Sequence, residues 1–215
     1  MIQPPNIEFK KPNKNPTLDA KTSLFEIPFY KDVEYFSNLE NFVSFVKAVE
    51  KMVRASNYYR RYISELKEEI GLTYCQVLSN IDDESANIEM HHGPILTLFD
   101  YVAIITDYML FHNMPVTSFS VANKVIEEHF EHNVQVVMLS KTVHELVHED
   151  DIFINFKQAF GNLNRFLEKY KDGINKDQIN KINIYINLCH KYNSFDKEAL
   201  RLNDNLKEWS KSIIF

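Results

Sequence analysis

At 215 residues, with 45% apolar, 13% aromatic and 25% charged residues, the chain is long enough to bury a sizeable core in one domain, or in one domain with an appendage. Only 4 glycines leave little room for a turn-dense all-β fold, so the default is a mainly α chain. A formal charge of -6 excludes a generally basic nucleic-acid coat, and any contact with phosphate has to come from a local patch or a metal.

Two cysteines, Cys75 and Cys189, lie far apart without a C-x-x-C, which suggests neither a disulfide framework nor a cysteine zinc site and fits a reducing, cytoplasmic setting. The most apolar run, Ile95 to Phe111, is interrupted by Asp100 and Asp107 and reads as a buried helix, so no membrane partner is expected. The two carboxylates are expected at that helix's polar edge, with Asp100 a supporting group if it is buried near a site.

In chain order, residues 1–20 hold four prolines and little periodicity and read as a flexible arm. A helical region follows over 21–72. Asn38 or Ser37 caps a helix from about Leu39 to Ala55, whose Phe42, Phe45, Val46, Val49 and Val53 recur at three and four. A second helix spans Tyr58 to Ile70, with Gly71 placed to end it. Arg54, Arg60 and Arg61, among Tyr58, Tyr59 and Tyr62, form the most basic and aromatic stretch, a candidate nucleic-acid contact, although a solvated helix face explains the same charges.

Residues 73–154 carry the chemistry. A hairpin is expected from Tyr74–Leu78 and Asn87–His91, then two helices, Ile95–Phe111 and Ser120–His132, as an insertion over 95–132 between two histidine clusters. A strand, Val134–Leu139, leads through Ser140 as N-cap into a helix, Lys141–Glu149, on which His144 and His148 share one face at i,i+4. His129 and His132 at a helix end read as structural, and His112 and His190 as surface or capping groups. Residues 155–215 form a C-terminal helical region: Phe160–Tyr170, Lys176–Tyr192 and Phe195–Lys211, with Trp209 as an anchor.

The segments E-M-H-H, Glu89 to His92, and S-K-T-V-H-E-L-V-H, Ser140 to His148, resemble the HNH or His-Me finger nucleases, closest to the colicin-type branch with its E-x-H-H and H-x-x-x-H. The resemblance implies a ββα-metal finger flanked by helices, an α+β fold with a small hairpin. It makes His92 the general base, His91, His144 and His148 the ligands of a divalent ion, and Glu89 the residue that orients an imidazole. Gln135 stands where the family has its asparagine and, with Ser140, is a candidate supporting residue. The implied activity is metal-dependent hydrolysis of phosphodiesters in DNA or RNA, with DNA the expected partner. The ion is Zn, Ni, Mn or Mg, the imidazole set suiting Zn or Ni best. The layout is also similar to phage-encoded HNH proteins, which would act in the host cytoplasm.

Two alternatives use the same letters. His144-Glu145-x-x-His148 is a literal H-E-x-x-H, in which the histidines bind zinc and Glu145 is the base of a metalloprotease. The other is a catalytically degenerate HNH-fold binding protein, with Gln135 the first departure from an active site.

Overall fold

A computed structural model describes residues 31 and 33–212, with side chains through Trp209. The arm expected over 1–20 lies outside the described residues. The helices are α1 (Val33–Phe36), α2 (Leu39–Ala55), α3 (Asn57–Glu68), α4 (Leu98–Phe111), α5 (Ser118–Phe130), α6 (Lys141–His148), α7 (Leu163–Lys169), α8 (Lys176–Lys191) and α9 (Lys197–Ser212). Two strands, β1 (Ile88–His92) and β2 (Val136–Ser140), pair antiparallel. The fold is mainly α with a small sheet, α+β.

Local signals set the helix ends. Asn38 Oδ1 accepts from the backbone N–H of Glu40 at 2.8 Å and starts α2, and the Ser56 hydroxyl accepts from Tyr59 N–H at 3.1 Å and starts α3. Gly71 leaves α3 with φ +83, a conformation that costs glycine nothing. Helix α4 starts later than its apolar run because Thr97 and Asp100 form a reciprocal capping box. Asp100 is therefore not at a polar edge: it is buried, and Lys181 Nζ reaches its carboxylate at 2.6 Å.

The insertion over 95–132 forms the centre of the molecule. Val102, Ile104 and Ile105 of α4 and Val121, Ala122 and Val125 of α5 are fully buried and pack with Val46, Val49 and Val53 of α2. One hydrophobic cluster runs from Phe36 to Trp209, so the helical regions and the finger share a single core. Cys75 and Cys189 are free and buried. Among the described residues no helix is long and apolar enough to cross a membrane.

The expected Tyr74–Leu78 hairpin strand does not form. Tyr74 makes only an isolated bridge to Asp82, and the true partner of β1 is β2, in the register Glu89↔Leu139, His91↔Val137, His92↔Val136. Polar satisfaction of β2 explains the difference. Its outer edge is closed by Gln76, whose N–H donates to Met138 O at 2.8 Å and whose Oε1 accepts from Met138 N at 2.7 Å, and by Phe160, which exchanges two 2.8 Å bonds with Val136. Phe160 is thereby held out of the helix expected to begin there, and α7 starts only at Leu163. Gly161, at φ +106, lets this segment run against β2, since a Cβ there would lie 2.2 Å from Val134 O.

Candidate metal centre

Strand alternation sorts the β1 side chains onto two faces, Glu89 and His91 on one and Met90 and His92 on the other. Helix α6 leaves β2 directly at Ser140 and covers the first face. His91 from β1 and His144 and His148 from α6 each offer a ligating atom, and these atoms lie within 4.8 Å of one another. The His91 ring centroid is 5.0 Å from that of His144 and 5.1 Å from that of His148.

The tautomers suit metal binding. Glu89 Oε2 lies 2.8 Å from His144 Nδ1, so Nδ1–H donates to the carboxylate and Nε2 is the nitrogen turned toward the other imidazoles. His148 Nε2 lies 3.1 Å from that atom. Two imidazole nitrogens held by one tetrahedral zinc lie about 3.3 Å apart, so the donor pair fits such an ion without large movement. Burial, with the nearby His144, His148 and Arg54, pushes His91 down to about 4, which keeps it neutral and able to coordinate at pH 7. Three imidazoles match zinc or nickel better than magnesium.

His92 is elsewhere. The general-base role expected for it does not fit its place on the opposite sheet face, where it is 5% exposed, stacked on Tyr59 at 6.0 Å and bonded to His129, Nε2 to Nε2 at 3.0 Å. His129 Nδ1 donates to Val125 O at 2.7 Å, so its Nε2 is the acceptor and His92 Nε2–H the donor. Burial depresses both rings, His129 to about 4, with Arg54 adding to the effect. His92 and His129 are thus a neutral, hydrogen-bonded pair in the core.

The remaining candidates are dispersed. Gln135 is 1% exposed, and neither of its side-chain amide atoms has a hydrogen-bond partner. Its backbone holds Tyr101 Oη through N–H at 2.9 Å and Gly93 N–H through C=O at 3.3 Å. Ser140 occupies the N-cap position of α6 without a side-chain cap bond and instead hydrogen-bonds the Cys75 thiol. Arg54 pairs with Glu50 at 2.9 Å, Arg60 bonds the Asn57 side chain, and Arg61 lines a separate groove with Glu65, Lys124 and Glu127. They do not form a continuous cationic face beside the imidazoles. His132 Nε2 lies 3.7 Å from Glu65 and His112 Nε2 3.0 Å from Asp172, while His190 packs on Phe195.

One contributor was not singled out by the sequence pattern. Gly93 lies under the His91 ring, where an added Cβ would be 3.0 Å from its Cδ2 and Nε2. Its position directly after H-H is the only local signal, and it reads equally well as a strand stop.

Residues 5–213 match the Bacteriophage G278-like virion protein family. The chain belongs to that family. It is of phage origin, and the family description names a particle component without an activity. No curated protein and no solved structure matches the chain.

Proposed function

We propose that this phage protein is carried in the virion as a metal-dependent phosphodiesterase of the His-Me finger kind, acting on nucleic acid. The observation that carries the reading is the convergence of His91, His144 and His148 from an antiparallel strand pair and the helix that follows it, with Glu89 bonded to His144. A zinc-class ion held by these three imidazoles would supply Lewis acidity toward a phosphoryl oxygen and toward an attacking water. The chain's own contribution is to keep His91 neutral by burial, to fix the His144 tautomer through Glu89, and to hold His91 on a sheet braced from behind by the His92–His129 pair, with His144 on the helix that covers it. The proposal gives His92 no proton to move.

The metalloprotease reading gains a third imidazole in His91 but loses its base. The Glu145 side chain is 65% exposed and its carboxylate lies 4.0 Å from Lys141 Nζ, on the solvent side of α6. That helix begins only at Lys141, one turn before His144.

Two measurements on the full chain test the proposal. Zinc or nickel is expected to raise Tm by mass action, and nicking of supercoiled plasmid or cleavage of single-stranded DNA is expected with one of Zn, Ni, Mn or Mg. Both effects should vanish in His148→Ala and persist in His129→Phe after correction for folded protein. A metal-dependent Tm shift with no cleavage of any nucleic acid would leave the degenerate binding protein. Casein cleavage lost in Glu145→Gln would establish the protease instead. Mass spectrometry of purified particles tests the virion placement.

A further inference from the structure

A groove of about 400 Å³ opens beside His91, between the C-terminal end of α6 and helix α8. That volume lies in the range of small-molecule pockets, about 300–1,000 Å³. Its wall away from the imidazoles is aromatic: the Phe153 ring lies 5.5 Å from Tyr185 with their planes 24° apart, and 5.0 Å from Tyr192 at 31°. Tyr192 is 50% exposed. Lys191 holds its ammonium 5.0 Å from the Tyr192 ring centroid and is the cation of the lining, while Asp150 is its carboxylate.

We infer that this groove takes an unpaired nucleobase, so that the substrate of the centre is single-stranded nucleic acid, with Lys191 meeting the phosphate that flanks the stacked base. The inference rests on the phosphodiesterase reading of the neighbouring imidazoles and adds the substrate class. A half-exposed tyrosine beside a single cation, at the mouth of an aromatic groove, matches a base and one adjacent phosphate. A duplex offers no free base face, and a surface that follows one needs a row of cations to neutralise successive phosphates. That row is missing from the described residues around His91: Arg54 lies near it but pairs with Glu50, Arg60 bonds Asn57, and Arg61 lines a separate groove. A peptide substrate is disfavoured on the β2 side, because the outer edge along which an extended chain would pair is already closed by Gln76 and Phe160.

The test is fluorescence anisotropy on the full chain in EDTA with three labelled probes of equal length: an oligothymidylate, the same strand with abasic sites, and a blunt duplex. The oligothymidylate should bind at least about tenfold more tightly than either of the others. Tyr192→Ala should remove that preference, and Lys191→Gln should weaken binding and lower the slope of log K against log salt by about one. Equal affinity for the abasic strand, tighter binding of the duplex, or displacement of the oligomer by a phenylalanine-rich peptide overturns the inference. The zinc-induced Tm shift reports on the centre separately. A base preference without a shift overturns the centre and leaves the groove standing, and a shift without a base preference does the reverse.

Discussion

Glu89 Oε2 and His144 Nδ1 lie 2.8 Å apart across 55 residues of chain, one on β1 and the other on α6. The contact fixes which imidazole nitrogen is free and ties the helix to the strand that carries His91. Carboxylates in this position raise the basicity of a ligand and hold its ring, and their loss typically weakens metal binding about 10–100-fold. Glu89→Gln is expected to lower zinc affinity, measured against a competing chelator, by a factor in that range. Stability without metal should change little, because Glu89 is partly exposed. Unchanged affinity would separate Glu89 from the centre.

Gly93 provides a second, steric handle on the same site. A Cβ at this position would stand 3.0 Å from the Cδ2 and Nε2 atoms of His91, so the ring rather than the backbone has to yield. Gly93→Ala should reduce zinc affinity about tenfold, since a ligand tilted by a few tenths of an ångström loses much of its alignment. The melting temperature without metal should fall by the equivalent of about 1 kcal/mol, as for a mild overpacking change. A Tm loss with zinc affinity intact would show that His91 does not coordinate.

A third prediction concerns pH. In the folded chain His129 is held at about 4 against an ordinary value of 6.5, chiefly by burial, and His92 is depressed as well. The unfolded chain therefore binds more protons than the folded one between these values, so stability rises with pH across that window. The contribution is complete above about 6.5 and is lost as pH falls toward about 4. Urea denaturation at a series of pH values is expected to show this slope, reduced in His129→Phe even though that variant starts from a lower stability. An unchanged slope in the variant would place the sensitivity elsewhere.

How much of this was legible in the sequence follows from the range of each signal. Helix ends were readable where the cap is local, as at Asn38 and Gly71. His144 and His148 were readable as a pair because i,i+4 spacing on one helix is a local property, and His91 joined them through its motif resemblance. The strand pairing was not readable: whether β1 meets Tyr74–Leu78 or β2 depends on how Gln76 and Phe160 satisfy the edge of β2, and no short pattern encodes that. The same is true of His92. Alternation places one of two adjacent histidines on the far face, but only the tertiary partners Tyr59 and His129 decide which. The groove residues Phe153, Lys191 and Tyr192 come from segments with no motif of their own.

The last prediction separates the motif's assignment of His92 from the structure's. A general base at this position would contribute at least about a hundredfold to the rate, and neither Ala nor Gln could replace it. As the donor to His129 Nε2, 3.0 Å away in the core, its contribution is to folding, and glutamine can supply an amide N–H near the same place. His92→Ala should leave His129 Nε2 unsatisfied and open a cavity beside Tyr59, at a cost of about 2–5 kcal/mol. His92→Gln should recover a large part of that loss. Cleavage per folded molecule should stay within about threefold of the parent chain in both variants, far below the loss expected for a general base. Denaturation curves supply the folded fraction and single-turnover cleavage supplies the rate. A hundredfold rate loss in a well-folded His92→Gln would return the base to His92 and require this sheet face to open during catalysis.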